Sequence, residues 1–273
     1  MDLFQIFVLG IVQGLTEMLP ISSSGHLVLF PKLLGWTDPG LNVDAFLHLG
    51  TLAAILIYFW KDLWNLVLKK DQRMILLYIV LATLPVVLIG FTCKHYIETS
   101  QLLRSTKFIS FTLIFVAILM WFFDRKLESQ SNLGLEAQSE DEIQTMSLIK
   151  TLFIGFAQCF ALLPGVSRSG ICAVAGIAQG MSREAAIRFA FLLGSPAIAG
   201  AGLLATKDML ENYINSPEIY SFSHDLPALL AGFISSFVSG LWAIDFLIKF
   251  LNKNTFTVFV VYRILLGLVV LFV

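Results

Sequence analysis

Apolar residues run without alternation through positions 45–60, 74–93, 108–123, 226–248 and 256–273, with less regular runs at 3–19, 147–164 and 185–205. The full runs approach the roughly 20 residues that a helix needs to cross a bilayer. Strands of a membrane barrel would alternate over about 10 residues, and these segments do not alternate. The pattern therefore predicts an all-α polytopic membrane protein. Composition agrees: 57% of the 273 residues are hydrophobic and 14% charged, against about a quarter charged in a soluble domain.

Charged residues gather between the runs. Lys61, Lys69, Lys70 and Arg73 lie in one interval and Arg125, Lys126 and Lys150 in another, so counting cations puts both in the cytoplasm. The acidic interval 207–225 then falls outside, and the C-terminus with it. Lys94, Arg104 and Lys107 run against this orientation. Residues 3–19 have no preceding cation and are interrupted by Gln13 and Glu17, which argues against a cleaved signal segment. Cys93, Cys159 and Cys172 lack metal-binding spacing and read as small core residues. A net charge of −1 with no basic tract gives no reason to expect nucleic acid as a partner.

A polar turn occurs twice. Gly10, Gln13, Ser22, Ser24 and Gly25 recur as Gly155, Gln158, Ser167, Ser169 and Gly170, at one offset: 155 − 10 = 167 − 22 = 145. Between the copies lies the hydrophilic stretch 129–145, which reads as a linker joining two pseudo-symmetric halves, about 1–128 and 146–273, of one integral membrane domain. Pairing of the copies alone leaves open whether the repeat is parallel or inverted. The copies differ where chemistry would be placed: Glu17 stands opposite Leu162, and Ser23 opposite Arg168.

Gln13 and Glu17, four apart, share a helix face. A carboxyl in an apolar stretch is a functional candidate, with a protonated Glu17 packed against a neighbouring helix as the competing reading. Pro20 and Pro164, followed by small polar residues, free backbone groups that lipid cannot satisfy, so both turns belong inside protein or around a wet cavity. A Ser/Gly loop opening into a helix presents amides to an anion. Gly165, Ser167, Ser169 and Gly170 facing Ser22 and Ser24 would hold a phosphate from two sides. Arg168 adds a planar fork that matches phosphate oxygens, with snorkelling to an interface or a structural pairing with Glu17 as the competing reading, disfavoured by the Pro-Gly-x-Ser-Arg-Ser-Gly context. His26, three residues after Ser23, is within reach to act as base or acid on that serine. His48 is its rival, in an apolar run where a packed neutral histidine is the commoner outcome and lining of the pocket the other. Asp44 reads as a helix-start residue.

The segments Gln13-x-x-x-Glu17, Pro20-x-Ser22-Ser23-Ser24-Gly25-His26 and Pro164-Gly165-x-Ser167-Arg168-Ser169-Gly170 resemble the paired signatures of the bacterial undecaprenyl-diphosphate phosphatase, or bacitracin-resistance, family. Chain length, the half-repeats, the Phe46-x-His48-x-Gly50-Thr51 segment and Tyr262-Arg263 are similar as well. The resemblance implies an inner-membrane enzyme that removes the terminal phosphate of undecaprenyl diphosphate and so recycles the carrier for cell-wall synthesis. It also implies an inverted repeat with two re-entrant helical hairpins and a site open to the periplasm. Two positions depart from the family pattern: Gln13 stands at the first acidic position, and Cys172 where a threonine is frequent.

On this reading Glu17, Ser23, His26 and Arg168 are catalytic, and Gln13, Ser22, Ser24, Gly165, Ser167, Ser169 and Gly170 bind substrate. Arg168 and the loop amides hold the terminal phosphate, Ser23 attacks or orients water, and His26 manages the proton. Glu17 with Gln13 coordinates a divalent cation, Mg²⁺ or Ca²⁺. The partners expected are the lipid diphosphate and the bilayer, with a homodimer left open. A lipid-carrier flippase or secondary transporter is the alternative, because it too would place broken helices and polar groups at the midplane. A scaffold is disfavoured by Glu17 and Arg168 in apolar surroundings.

Overall fold

The computed structural model describes residues 2–37, 40–70, 72–132, 142–143, 145–215 and 222–272. Most of the expected linker 129–145 lies outside the described residues. Every described regular element is helical: α1 (Leu3–Met18), α2 (Ser23–Leu34), α3 (Leu41–Tyr58), α4 (Trp60–Leu68), α5 (Arg73–Thr99), α6 (Thr106–Asn132), α7 (Leu148–Cys159), α8 (Arg168–Ala178), α9 (Arg183–Asn215), α10 (Phe222–Leu251) and α11 (Thr257–Val270), with a 3₁₀ turn at Phe160–Leu162.

Four helical segments are long and apolar enough to cross a bilayer: Arg73–Cys93, Thr106–Ser129, Arg183–Asn215 and His224–Leu251. Phe46–Tyr58 and Trp60–Leu68 make a fifth only if taken together, and they are bent by 67° at the break between them. The run 256–273, read as a full crossing, holds a helix of 14 residues, or roughly 21 Å at the α-helical rise, short of an apolar slab of about 30 Å. The two re-entrant hairpins expected at the polar turns are also corrected. Among the described residues one sharply bent apolar pair is found, and it is α3–α4. The chain at the polar turns instead forms short separate helices, α1 and α2, α7 and α8, because Pro20 and Pro164 with their neighbours end each first helix outright.

Close helix crossings are built on small residues, as packing inside lipid requires. A Cβ at Gly10 would strike Ser235 Oγ and Gly232 O of α10, and one at Gly14 would strike Ser239 Oγ and Ser236 O. That intimacy lets Ser235 Oγ donate to Phe7 O at 2.9 Å. Gly155 of α7 meets Ala82 of α5 in the same way. The largest buried cluster draws on α3, α7, α8, α9 and α10 and includes Phe59, Ile154, Phe189, Phe191 and Leu247. Outward faces of α5 and α6 expose Leu84, Leu88, Phe91, Phe111, Phe115 and Ile118, which suits contact with acyl chains rather than water.

Candidate active site

Both polar turns are built alike. Each ends a helix, passes its proline, and opens a new helix from a serine in the left-handed region: Ser22 at φ 75 before α2 and Ser167 at φ 70 before α8. Each of these serines lies 3.3 Å, Oγ to Oγ, from the serine two residues on, Ser24 and Ser169 respectively. Ser167 Oγ also accepts from Gly170 N at 3.2 Å and so caps α8, satisfying an amide that the helix start leaves without a partner. The first residues of the new helices are Ser23 and Arg168.

The turns are joined to one another. Ser24 Oγ accepts from Gly165 N at 3.4 Å, and Ser169 Oγ lies 3.4 Å from Glu17 O and from Leu19 O. Between them stands Glu17, 8% exposed. Its Oε1 takes Arg168 Nη2 at 2.5 Å. Its Oε2 takes Ser23 Oγ at 2.5 Å and Gln13 Nε2 at 3.2 Å, and lies 3.3 Å from His48 Nε2. Arg168 Nη1 donates to Gly194 O of α9 at 3.1 Å. The guanidinium lies flat on Gly194, where a Cβ would sit 2.9 Å from its central carbon. One carboxylate thus ties a hydroxyl, a guanidinium and an imidazole into a single cluster.

His26 is placed elsewhere. It is 2% exposed, its Nδ1 donates to Ser22 O at 2.7 Å, and its Nε2 meets the Tyr262 hydroxyl at 2.6 Å. With a carbonyl facing Nδ1, that nitrogen carries the hydrogen, and the neutral ring accepts at Nε2 from the tyrosine. The hydroxyl of Ser23 bonds to Glu17, and both ring nitrogens of His26 are engaged with other groups. His48, weighed from the sequence as the rival of His26 and left out of the candidate site, supplies the imidazole that does face Glu17; its Nδ1 donates to Asp44 O at 2.7 Å. Its signals in the sequence were a polar side chain in an apolar run and its place in the Phe46-x-His48-x-Gly50-Thr51 segment.

Arg263, on α11, also went unassigned. It is fully buried and reaches both turns, donating to Pro20 O at 3.1 Å, Gly165 O at 2.9 Å and Val166 O at 3.0 Å. The second-copy residues without a counterpart to Glu17 are quieter. Gln158 is fully buried with neither amide atom partnered among the described residues, and Cys172 is packed inside α8.

Glu17 and Gln13 are the residues that a divalent cation would use. Gln13 Oε1 is buried with no hydrogen-bond partner among the described residues and sits beside the carboxylate. Two protein oxygens with diphosphate and water completing the shell is a set that Mg²⁺ accepts. Among the described residues no group of three or more His, Cys, Asp or Glu side chains comes together, so such an ion would depend on the substrate for its remaining ligands.

The likeness to known proteins extends over nearly the whole chain. The undecaprenyl-diphosphatase of Chlorobaculum tepidum is 39% identical to this chain over 280 residues, covering 98% of this chain and 95% of that protein. The family described as bacitracin resistance protein BacA matches residues 6–269, and with a match of that extent the chain belongs to this family.

Proposed function

We propose that this chain is a multi-pass inner-membrane phosphatase that hydrolyses undecaprenyl diphosphate to undecaprenyl phosphate and inorganic phosphate. Recycling the carrier in this way serves cell-wall synthesis and gives resistance to bacitracin. The observation that carries the reading is the Glu17 carboxylate with Ser23 Oγ on one oxygen and Arg168 on the other, at 2.5 Å each. Nucleophile, base and anion clamp stand in one cluster, which is more than binding alone requires.

In the mechanism, the terminal phosphate draws Arg168 from Glu17 and is held by its fork and the amides of the two turns. Ser23 Oγ attacks phosphorus while its proton passes to Glu17 Oε2. The bond to the bridging oxygen breaks and undecaprenyl phosphate leaves. Glu17 gives that proton up with the departing lipid phosphate, and water then attacks the phosphoserine, its proton passing through Glu17 to Ser23 Oγ as that oxygen leaves phosphorus and inorganic phosphate is released. Positioning and charge neutralisation supply most of the acceleration in such transfers. Glu17 is assigned as base in place of His26 because the serine hydroxyl bonds to the carboxylate. His26 and Gln13 hold the turn and the carboxylate, and His48 stays against Glu17 when Arg168 turns to phosphate. A divalent cation, Mg²⁺ or Ca²⁺, held by Glu17 and Gln13 would neutralise charge on the diphosphate.

The two halves are read as an inverted repeat within one membrane domain, with the site open to the periplasm. An exchange of partners supports a two-fold relation between the halves: α1 packs on α10 and α7 on α5, α3 on α10 and α9 on α5, while α3–α9 and α6–α11 pair across them. Exchange of this kind is what a two-fold relation between halves produces. A transporter would share it, so the decisive assay has no compartments. Purified protein in detergent should release phosphate from a long-chain prenyl diphosphate, measured with and without chelator. Folded protein that releases none would overturn the reading.

A further inference from the structure

Arg263 carries a full charge into the protein interior, and four of its hydrogen bonds go to carbonyl oxygens: Leu113 at 3.2 Å, Pro20 at 3.1 Å, Gly165 at 2.9 Å and Val166 at 3.0 Å. Its side chain is 0% exposed. None of these acceptors is a carboxylate, and among the described residues the charge is met by peptide dipoles. Burying a charge without a counter-ion is costly, and these four hydrogen bonds are what offset it here. Three of the four acceptors belong to the polar turns: Pro20 to the first, Gly165 and Val166 to the second.

The consequence for the turns is geometric. In a trans peptide the carbonyl and the N–H point in opposite directions, and none of the described peptides is cis. Each carbonyl drawn to Arg263 turns the N–H of the same peptide away, that of Ile21 to Leu19 O at 2.8 Å and that of Val166 to Leu163 O at 3.3 Å, so one guanidinium sets the direction of three turn peptides in two halves of the chain. The adjacent residue works on the same turn, since Tyr262 donates to His26, which donates to Ser22 O. Oriented dipoles of this kind stabilise a developing negative charge without reorganising when it forms.

Resting on the phosphatase reading above, we propose that Arg263 is a positioning residue for the phosphate site. It keeps the two turns in register and sets a fixed positive charge behind the bound diphosphate. Arg168 is the guanidinium in front of the anion and Arg263 the one behind it.

The test uses full-length Arg263→Lys and Arg263→Gln purified in detergent, with thermal unfolding, kcat and KM for a long-chain prenyl diphosphate, and calorimetric binding of inorganic phosphate. Both variants should fold. Per folded molecule, kcat/KM should fall roughly 100-fold for Lys, which keeps charge and loses the planar fork, and further for Gln. Phosphate affinity should weaken about tenfold in Gln and less in Lys. Wild-type kcat, KM and phosphate affinity in the folded fraction would overturn the proposal, as would failure of both variants to fold, which makes Arg263 purely structural. If wild-type protein shows no phosphatase activity, the function proposed above fails instead, and phosphate binding by wild type against Arg263→Gln still decides the role of Arg263.

Discussion

Ser22 and Ser167, 145 positions apart, are the two non-glycine residues with positive φ among those described, at φ 75, ψ 97 and φ 70, ψ 115. A side chain in this region costs about 1–3 kcal/mol and persists only where surrounding structure enforces it. Here the enforcing groups are identifiable. Arg263 holds the carbonyl of Val166, next to Ser167, and that of Pro20, two residues before Ser22, while His26 holds that of Ser22 itself. The strain lies where the two helices open on the candidate site.

Ser22→Gly tests whether this strain is coupled to turnover. Glycine adopts the same φ freely, so thermal stability in detergent should hold within about 1 kcal/mol of wild type. Phosphate release should fall about tenfold, because the freed turn no longer holds its amides in place. Unchanged turnover would make the strained conformation incidental.

Ser23 and His26 should separate cleanly. Ser23→Ala should abolish turnover, and wild-type enzyme quenched with substrate labelled in its terminal phosphate should carry label on Ser23. His26→Asn keeps a donor for Ser22 O and should retain turnover within about tenfold of wild type. Turnover by Ser23→Ala, with no label trapped in wild type, points to water attack; loss of several orders of magnitude in His26→Asn returns the base to His26.

Glu17 and Arg168 touch the same substrate region and each other, so their effects should not add. Arg168→Lys and Glu17→Gln should each lower kcat/KM by roughly 100-fold or more while folding survives. The double variant should be only a few-fold worse than the poorer single one. Fully multiplicative losses would show that the ion pair does not act as a unit.

Gly194→Ala probes the seat of Arg168 without touching the cluster. The added methyl would lie 2.9 Å from the guanidinium carbon, so the side chain must leave its present position. Steady-state kinetics should show KM raised more than about tenfold with a stable fold; a wild-type KM would mean that Arg168 needs no seat on α9.

How much of this was legible beforehand follows from the range over which each interaction acts. Helical class, membrane residence and the two polar turns are written in local order: continuous apolar runs, a proline after each first helix, small polar residues next. Glu17, Ser23 and Arg168 were legible because each breaks an apolar pattern beside a turn, and the 145-residue offset placed Ser23 and Arg168 in matching roles. Partner choice was not. Ser23 is three residues from His26 and six from Glu17, so short spacing favoured the histidine; the turn at Ser22 instead delivers the hydroxyl to the carboxylate at 2.5 Å. His48 and Arg263 reach the site from α3 and α11, across 31 and 243 residues from Glu17 and Pro20 respectively. Nothing in local pattern encodes such distances, because a helix specifies its own axis and faces while its neighbours are chosen by close packing, here at Gly10 and Gly14 against α10 and Gly155 against α5. Sequence alone therefore determined that this protein places polar turns in a membrane, and the packing of helices distant in sequence decided which side chains meet there.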